Sequence, residues 1–302
     1  MTTDVFDTPA PLVIQPLVLP VFTEKQLSVF VIRTDLVHPQ ISGNKWYKLK
    51  YNLREAQRQG APRIISFGGA YSNHIHALAY SAKVLGIASV GVIRGEEVDN
   101  PTLADARNWG MQLRFVDRAS YRQRYSPSWL AALKQEIGPG FIIPEGGSNA
   151  FALQGVAELV PDACGQIPSL DYLLCACGTG GTLAGLISAA PGSIKVEGYP
   201  VLKGAGFLYT DIQALLDSAS VDVRCEWVLD QNAHYGGYGK INAEHRAKWK
   251  ELEQECQIPL DPVYTSKMLR RFIEKVHQNA YPAGATIALI HTGGLQGRRS
   301  VV

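Results

Sequence analysis

The fold is decided by residues 172–185, which read YLLCACGTGGTLAG. The stretch begins with an apolar run, as in a strand that is buried on both faces. Four glycines and two threonines follow within it, and apolar residues then return as in the first turns of a helix. A glycine-rich turn between a buried strand and a helix presents backbone N–H groups that can bind an anion. The stretch therefore predicts a parallel sheet with a ligand near the carboxyl end of this strand.

Strand-like and helix-like segments alternate from about residue 60 onward. This alternation is typical of right-handed βαβ units, whose parallel strands are covered by helices on both faces. We therefore predict an α/β fold with mainly parallel sheets. The predicted strands are 63–67, 89–93, 111–116, 141–143, 171–177, 194–199, 223–229 and 285–290, and the predicted helices are 72–85, 102–109, 126–136, 149–159, 181–190, 207–216, 242–256 and 264–278.

The composition is that of a globular protein. The chain has 302 residues, of which 46% are hydrophobic and 19% are charged. A length of ~150 residues per domain predicts about two domains. These values exclude a disordered, collagen-like or coiled-coil chain. The formal net charge of +2 gives no reason to expect nucleic acid or an anionic membrane as a partner.

The cysteine, histidine and N-terminal patterns give no indication of a disulfide-rich, metal-binding, secreted or membrane-spanning protein. The five cysteines are odd in number and form no CxxC pair, which argues against a disulfide framework or a zinc ribbon. The seven histidines show no HExxH spacing, so we predict no metal site. The apolar stretch 12–22 contains two prolines, and no apolar run approaches the ~20 residues that cross a bilayer. We expect a cytoplasmic protein without a signal peptide.

Lys45 stands at the start of a predicted helix, in the segment SGNKWYKL. The apolar stripe of that helix consists of Trp46, Leu49, Leu53 and Ala56, and Lys45 lies off it. A lysine in the first turn of a helix opposes the helix dipole. Two interpretations remain open, an exposed first-turn lysine and a lysine with a chemical role.

A second glycine-rich loop, FGGAYSNH at 67–74, joins a predicted strand to a predicted helix. Ser72 and Asn73 are good N-cap residues, and free N–H groups at a helix start bind anions. Plain capping and ligand binding both fit this pattern. The double glycine favours a close ligand, because it lets the backbone approach without a side-chain clash.

The loop that begins at Gly178 suits a phosphate group. It is not a P-loop, because no lysine follows Gly185. It is also a poor dinucleotide fingerprint, because Leu183 stands where the third glycine belongs. Glu197, however, is near the distance expected of an acid that binds ribose. We therefore predict phosphate binding and leave the dinucleotide interpretation open.

Three further segments place polar side chains beside glycines or helix starts. They read YGGYG at 235–239, DPVYT at 261–265 and IHTGG at 290–294. Each tyrosine is either an amphipathic residue at the end of an element or a ligand contact. A threonine at the end of the last strand, facing a glycine turn, is well placed to touch a ligand.

Taken together, these segments resemble one known family. Their order is Gly-Asn-Lys, Gly-Gly-x-x-Ser-Asn-His, Gly-Thr-Gly-Gly-Thr, Tyr-Gly, Asp-Pro-Val-Tyr and His-Thr-Gly-Gly. It resembles that of the 1-aminocyclopropane-1-carboxylate (ACC) deaminase and D-cysteine desulfhydrase family. These are pyridoxal 5'-phosphate (PLP) enzymes of fold type II, similar to the β subunit of tryptophan synthase. The likeness runs from about residue 30 to 297 and implies two α/β domains, each of three layers around a parallel sheet.

The resemblance implies a role for each matching residue. Lys45 matches the lysine that bonds covalently to PLP and then moves a proton at the substrate Cα. Ser72, Asn73 and His74 match the loop that receives the substrate carboxylate, and Asn73 also matches the partner of the ring hydroxyl. The other implied site residues are Gly178, Thr179, Gly180, Gly181 and Thr182 as the phosphate cradle, Tyr238 and Tyr264 as the tyrosine pair, and Thr292 as the partner of the pyridine nitrogen. The implied catalytic residues are Lys45, Ser72, Tyr238 and Tyr264.

The resemblance also implies the activity, a PLP-dependent lyase or deaminase that acts on a small amino acid. The products are a 2-oxo acid and ammonia. ACC deaminases carry Glu where this chain has Thr265, and the family segment carries Arg where this chain has Tyr47. Desulfhydrase-like members carry Thr at the first position, which favours β-elimination from a D-cysteine-like substrate. The alternatives are ACC deaminase, a nucleotide-dependent oxidoreductase and a non-catalytic ligand-binding protein.

The resemblance further implies a domain organisation and an assembly. Residues 50–152 would form a smaller inserted domain, and residues 1–49 and 153–302 would form the larger, PLP-binding domain. The glycine-rich break at 145–148 is the predicted crossover between them. PLP would lie between the domains, and the protein would be a homodimer.

Overall fold

The fold is described by a computed structural model that covers Phe6 and residues 11–300, apart from the side chain of Ser300. In this part of the chain, ten strands form two sheets. The strands are β1 (Ile14–Pro16), β2 (Ser28–Ile32), β3 (Arg63–Gly69), β4 (Ala88–Arg94), β5 (Gln112–Val116), β6 (Phe141–Ile143), β7 (Tyr172–Cys177), β8 (Lys195–Pro200), β9 (Trp227–Leu229) and β10 (Thr286–Ile290).

Helices connect these strands. The α-helices are α1 (Pro20–Glu24), α2 (Asn44–Arg58), α3 (Asn73–Leu85), α4 (Pro101–Asn108), α5 (Arg118–Arg122), α6 (Pro127–Ile137), α7 (Ala150–Ala157), α8 (Leu159–Gln166), α9 (Gly181–Ala189), α10 (Leu208–Ser218), α11 (Ala243–Cys256) and α12 (Thr265–His277). Short 3₁₀ segments lie at Thr34–Leu36, Glu145–Gly147, Ala205–Phe207, Gln231–His234 and Leu295–Ser300.

The two sheets are almost entirely parallel. The larger sheet has the strand order β1-β2-β10-β7-β8-β9, and only the edge strand β1 runs antiparallel to its neighbour. The smaller sheet has the order β5-β4-β3-β6, with every pair parallel. The α/β fold with mainly parallel sheets, predicted from the sequence, is confirmed.

Apolar clusters cover both faces of each sheet. One cluster joins a face of the larger sheet to α2, α3, α7 and α9 and continues to one face of the smaller sheet. A second cluster packs α1, α11 and α12 against the other face of the larger sheet. A third packs α5 and α6 against the other face of the smaller sheet. Because the first cluster is shared, the two sheets are joined through one continuous core.

Gly43 brings the start of α2 against the end of β10. Its φ of 71° lies in the left-handed region, and a Cβ at this position would be 2.1 Å from the carbonyl oxygen of Thr292. Only glycine allows both the conformation and this approach. The contact fixes the first turn of α2, which carries Lys45, beside the carboxyl end of β10.

The predicted division into domains is partly reflected in the sheets. The smaller sheet uses only strands between residues 63 and 143, and the larger sheet uses strands on both sides of that range. The predicted boundaries at 49/50 and 152/153 fall inside α2 and α7. These two helices are in backbone contact, because a Cβ on Gly155 would be 2.0 Å from the carbonyl oxygen of Tyr47. The boundaries themselves stay a prediction.

Two predicted elements differ from the structure. The predicted helix 149–159 corresponds to α7, which ends at Ala157, because Pro161 lacks the N–H that would continue its hydrogen-bond ladder. The helix α8, which begins at Leu159, was not predicted. The predicted strand 223–229 is reduced to Trp227–Leu229, an edge strand that pairs only with Val196–Gly198 of β8. The predicted alternation also started at residue 60 and did not include β1, α1 and β2, although β2 lies beside β10 within the larger sheet.

Candidate active site

A cavity of about 730 Å³ opens where the carboxyl ends of the strands of both sheets meet. Ligand sites of α/β proteins lie at this edge, and the volume is typical of such sites. Every residue that the sequence analysis placed in the site lines this cavity: Lys45, Ser72, Asn73, His74, Gly178, Thr179, Gly180, Gly181, Thr182, Tyr238, Tyr264 and Thr292. The structure brings these residues together, whereas their individual roles stay predictions.

Lys45 is partly buried in the first turn of α2. Its Nζ donates a hydrogen bond to Asn44 Oδ1 at 3.0 Å, and Asn44 Nδ2 donates to Thr182 Oγ1 at 2.7 Å. Burial lowers the pKa of Lys45 to about 8. About a tenth of the amine would therefore be neutral at pH 7, far more than for an ordinary lysine, and a neutral amine is the form that attacks a carbonyl carbon.

The loop between β7 and α9 lines the cavity with three glycines and two threonines. Gly180 has a left-handed conformation, with φ 75°, and no side chain caps the first turn of α9. The N–H groups at a helix start attract an anion through hydrogen bonds and the helix dipole. A Cβ on Gly181 would be 2.4 Å from Ser148 Oγ, so this glycine lets the loop pack closely against Ser148.

Lys48 places a buried amine beside the same loop. Its side chain is only 1% exposed, and its Nζ donates to Ser148 Oγ at 2.9 Å. Ser148 Oγ in turn lies 2.7 Å from Thr179 Oγ1. Burial, together with the nearby charge of Lys45, lowers the pKa of Lys48 well below its usual value. An anion on the loop would offset this cost of burying an ammonium group.

The loop between β3 and α3 presents side chains. Ser72 caps α3, since its Oγ accepts a hydrogen bond from Ile75 N at 3.3 Å. Ser66 Oγ donates to the carbonyl oxygen of Ile143 at 2.7 Å, so His74 Nε2 must donate to Ser66 Oγ, also at 2.7 Å. His74 Nδ1 is then an acceptor without a hydrogen-bond partner among the described residues. Burial, followed by the charges of the two lysines, lowers the pKa of His74 and keeps its ring neutral.

The two tyrosines form an aromatic pair beside the glycine loop. The ring centroids of Tyr238 and Tyr264 are 6.0 Å apart, with the planes at 69°. A Cβ on Gly178 would lie 3.1 Å from the Tyr264 ring, so the ring packs on the loop backbone. Burial raises the pKa of Tyr264 well above its usual value, which keeps its hydroxyl protonated. Tyr238 is 43% exposed at the cavity mouth.

Several cavity residues were missed by sequence reasoning. Lys48 and Ser148 lie against the glycine loop, and Arg94, Arg124 and Glu145 line the side formed by the smaller sheet. Arg124 Nε and Glu145 Oε2 are 2.8 Å apart. The stretch EGGS at 145–148 contains two of these residues, Glu145 and Ser148, but it is predicted from the sequence only as a crossover between domains.

The dinucleotide interpretation, in which Glu197 would bind ribose, was left open by the sequence and is contradicted by the structure. Its side chain is 4% exposed and accepts hydrogen bonds from Lys275 Nζ at 2.6 Å, Tyr281 OH at 2.8 Å and Tyr199 OH at 2.9 Å. Residues two apart in a strand share a face, so Glu197 and Tyr199 both point toward α12, away from α9. This carboxylate is therefore used within the core and does not face the glycine loop.

The residues of the cavity fit PLP. Lys45 offers an amine for an aldehyde, and the uncapped start of α9 with Lys48 offers backbone donors and a cation for a phosphate. Thr292 and Asn73 also line the cavity, so a hydroxyl and an amide are available for polar contacts with the cofactor. No group of three or more His, Cys, Asp or Glu side chains within the described residues is arranged to hold a metal ion.

Comparisons with known proteins agree with this chemistry. Residues 11–293 match the family described as pyridoxal-phosphate dependent enzyme. A Pyrococcus horikoshii protein, provisionally named a 1-aminocyclopropane-1-carboxylate deaminase, is 32% identical over 282 residues, covering 89% of this chain and 85% of its own length. A mitochondrial Arabidopsis thaliana protein is named a bifunctional D-cysteine desulfhydrase/1-aminocyclopropane-1-carboxylate deaminase. It is 28% identical over 291 residues, covering 89% of this chain and 73% of its own length.

The structural similarity is equally extensive. The crystal structure of an ACC deaminase homologue has a TM-score of 0.84 to this fold at 28% identity, and the match covers 99% of this chain and 97% of that chain. Cavity, fold and sequence relatives thus agree on one cofactor and one type of scaffold. The chain belongs to the family of pyridoxal-phosphate-dependent enzymes, it has the type II fold, and PLP is its cofactor.

Proposed function

We propose that this enzyme catalyses β-elimination from a small amino acid of the D-cysteine type. For cysteine, the balanced reaction consumes water and yields pyruvate, ammonia and hydrogen sulfide. PLP, when bound, accepts the electron pair that is left when a bond to the amino-acid Cα breaks. The proposal concerns what the residues of this chain contribute around that carbon.

Lys45 is the proposed base at the substrate Cα. With a pKa of about 8, its amine can take up a proton and release it again near neutral pH. Its hydrogen bond to Asn44 joins it to Thr182 of the glycine loop, so the amine is positioned relative to the cradle. We propose that this cradle, together with Lys48, binds the phosphate of the cofactor.

The start of α3 is the proposed site for the substrate carboxylate. Ser72, Asn73 and His74 follow one another at this helix start, and all three line the cavity. A carboxylate there is favoured by the N–H groups of the first turn and by the helix dipole. His74 is neutral, so the charge of the carboxylate is balanced by the helix start and not by an imidazolium. We propose that the protonated Tyr264, which also lines the cavity, donates a hydrogen bond to the substrate.

The observation that carries the choice of elimination is Thr265. Its side chain is 3% exposed, and its hydroxyl has no hydrogen-bond partner among the described residues. Asp261 beside it already accepts from the N–H groups of residues 263, 264 and 265 at 2.7–2.9 Å. A glutamate at 265 would bury a second carboxylate next to Asp261, and like charges raise the cost of ionisation. The threonine agrees with the pattern of the desulfhydrase-like members.

The experiment is a substrate panel on the purified holoenzyme. D-Cysteine, L-cysteine, D-serine and ACC are each assayed for pyruvate, 2-oxobutyrate, ammonia and sulfide. We expect sulfide and pyruvate from D-cysteine in equal amounts, and a loss of at least about 1,000-fold in kcat/KM for Lys45→Ala, as for the removal of a proton-transfer residue. Full activity of Lys45→Ala, or no 2-oxo acid from any compound despite bound PLP, would contradict the proposal.

Ring opening of ACC is the second candidate, because relatives that match most of the chain are named for it. This reaction consumes water and gives 2-oxobutyrate and ammonia. Thr265→Glu separates the two candidates, with Thr265→Ser as the matched control that keeps a hydroxyl. We expect Thr265→Glu to depress elimination of sulfide, because a carboxylate there would change the electrostatics around the cofactor ring. Unchanged rates with unchanged PLP content would show that residue 265 does not select the reaction.

Assembly and location are proposals that rest on the resemblance. We propose a homodimer in the cytoplasm. None of the helices in the described part of the chain combines the length and the apolar composition that a bilayer span requires. Light scattering of the purified holoenzyme, with a mass near twice 33.0 kDa expected, tests the assembly.

A further inference from the structure

We propose that Gln296 is a positioning residue that orients the side-chain amide of Asn73 for its contact with the cofactor. The inference rests on the proposed contact between Asn73 and the cofactor ring, and it does not depend on which amino acid is the substrate. Nothing in the sequence motifs points to residue 296, because they end at the glycine pair 293–294.

The central observation is a hydrogen bond between two side-chain amides. Gln296 lies in the 3₁₀ segment Leu295–Ser300 that follows β10, and its Nε2 donates to Asn73 Oδ1. Asn73 is the first residue of α3 and lines the cavity. An amide has an acceptor on one side and two donors on the other. With its oxygen engaged by Gln296, Asn73 keeps its Nδ2 donors for a ligand.

Packing alone would not select this orientation. A Cβ on Gly294 would be 2.5 Å from Asn73 Nδ2, so the amide is clamped between the backbone of Gly294 and the side chain of Gln296. The two ends of an amide are nearly identical in shape, so such a clamp holds either of the two flipped states. The hydrogen-bond partner therefore decides whether a donor or an acceptor is available to the cofactor.

The segment that carries Gln296 is anchored on both sides. Arg298 binds Glu253 of α11 with distances of 2.6 and 3.2 Å. Arg299 binds Asp105 of α4, whose carboxylate also lies 2.9 Å from His76 Nε2 of α3. These contacts tie the segment to α11, which packs on the larger sheet, and, through Asp105 of α4, to α3. Gln296 is thus held in a fixed position relative to Asn73.

The hydrogen-bonding character of residue 296 then sets the character of Asn73. A donor at 296 occupies Oδ1 and leaves Asn73 as a donor toward the cofactor. An acceptor at 296 would attract Nδ2 and turn Oδ1 toward the cofactor. Because PLP carries an ionisable ring hydroxyl, a donor from Asn73 stabilises the ionised form and an oxygen opposes it.

Three variants test this relation in the holoenzyme. Gln296→Met removes the hydrogen bond, Gln296→Glu presents only acceptors, and Gln296→Lys presents only donors. Gln112→Glu, on the exposed edge strand β5, is the control for the change in charge. The readouts are the dissociation constant of PLP, the pH midpoint of the visible absorption band of the bound cofactor, and Tm.

We expect a graded response. Gln296→Met should weaken PLP binding by about 2–10-fold, the range for one net hydrogen bond. Gln296→Glu should weaken it more and shift the absorption midpoint furthest, and Gln296→Lys should stay closest to wild type. Tm of the protein without PLP should change little in all three.

Two outcomes would overturn the inference. One is wild-type PLP affinity and absorption in both Gln296→Met and Gln296→Glu. The other is an equal loss in all three variants, including lysine, which would show that residue 296 matters only through packing. Absence of PLP from the wild-type protein would instead contradict the cofactor assignment itself, so the two failures are distinguishable.

Discussion

The two strand-to-helix loops at the cavity have the same topology and begin their helices differently. The loop from β3 to α3 is capped by Ser72, and polar side chains follow in its first turn. The loop from β7 to α9 has no side-chain cap and begins with Gly180 in a left-handed conformation. In the first loop a side chain, Ser72, accepts a hydrogen bond from a backbone N–H at the start of α3. In the second loop no side-chain cap occupies the N–H groups at the start of α9, so they are available to a ligand.

This difference indicates how one architecture serves two ligand groups. An uncapped helix start with a buried lysine beside it suits a permanently charged, bulky phosphate. A capped start with hydroxyl, amide and imidazole groups suits a smaller group that has to arrive and leave. We therefore expect changes in the α9 loop to act on the cofactor. In the α3 loop we expect changes at Ser72 and His74 to act on the substrate, whereas Asn73 is the residue of that loop proposed to contact the cofactor.

The largest effect is expected for Gly181→Val. Its side chain would collide with Ser148 Oγ and Lys48 Nζ, which lie 2.4 and 2.9 Å from a Cβ at this position. We expect PLP affinity to fall by at least about 100-fold, as when a charge-assisted contact is lost. Equilibrium titration with PLP measures this. Gly165→Ala, in α8 with open space around its Cβ position, is the control that should keep full affinity.

Lys48→Met is expected to act on the phosphate alone. Removing the buried ammonium group should weaken PLP binding by about 10–100-fold, because charged hydrogen bonds contribute more than neutral ones. Pyridoxal, which lacks the phosphate, should bind both proteins equally. Lys50→Met is the matched control on the same helix, since Lys50 pairs with Glu158 at 2.7 Å outside the cavity. Equal losses of affinity for PLP and for pyridoxal would show that Lys48 does not act through the phosphate.

Ser72→Ala should separate a cap from a substrate contact. The loss of the N-cap should lower the free energy of unfolding by about 1 kcal/mol. Asn242→Ala removes the corresponding cap of α11, where Asn242 Oδ1 accepts from His245 N at 2.8 Å, and should cost about the same. Only Ser72→Ala should also raise KM for the amino acid, severalfold, with PLP affinity unchanged. A change in PLP affinity of Ser72→Ala would show that Ser72 also acts on the cofactor and not on the substrate alone.

The smallest effect concerns pH. The pKa of His74 is lowered in the folded state, so the unfolded chain binds a proton that the folded chain refuses. The free energy of unfolding should therefore fall as the pH drops below the usual histidine pKa, by about 1 kcal/mol per pH unit. Urea unfolding between pH 7 and 5 measures the slope. His74→Gln should reduce it, whereas the part of the slope that comes from His38, His76 and His245, whose pKa values burial also lowers, should remain. Gln278→Asn, at an exposed position directly after α12, changes no titratable group and should leave the slope unchanged.

The sequence predicts the elements better than it predicts which polar residues are buried. The apolar stripe of Trp46, Leu49 and Leu53 is predicted from helical spacing and is fully buried. Lys48 was not singled out, although it is 1% exposed. Its face of α2 points to a cavity between two sheets, and a polar residue facing such a cavity has the same sequence pattern as one facing solvent.

Spacing along the chain was misleading where strand geometry decides. Glu197 has the sequence distance of a ribose-binding acid, yet its strand turns it toward Lys275 and away from the glycine loop. The residues of the cavity come from loops that are far apart in sequence. Their spacing does not show that they share one site, and only the resemblance to a known family predicts it. Gln296 lies outside every motif, because its effect depends on a contact across 223 positions.

The close contact between Gly43 and the carbonyl oxygen of Thr292 has a consequence for how this enzyme can change. The contact holds the helix turn that carries Lys45 against the strand end that carries Thr292, and it leaves no room for a side chain at position 43. Variants with a new substrate range should therefore keep glycine at position 43. The variation that is tolerated should accumulate at the rim instead, at exposed positions such as Tyr71, Tyr125 and Phe207.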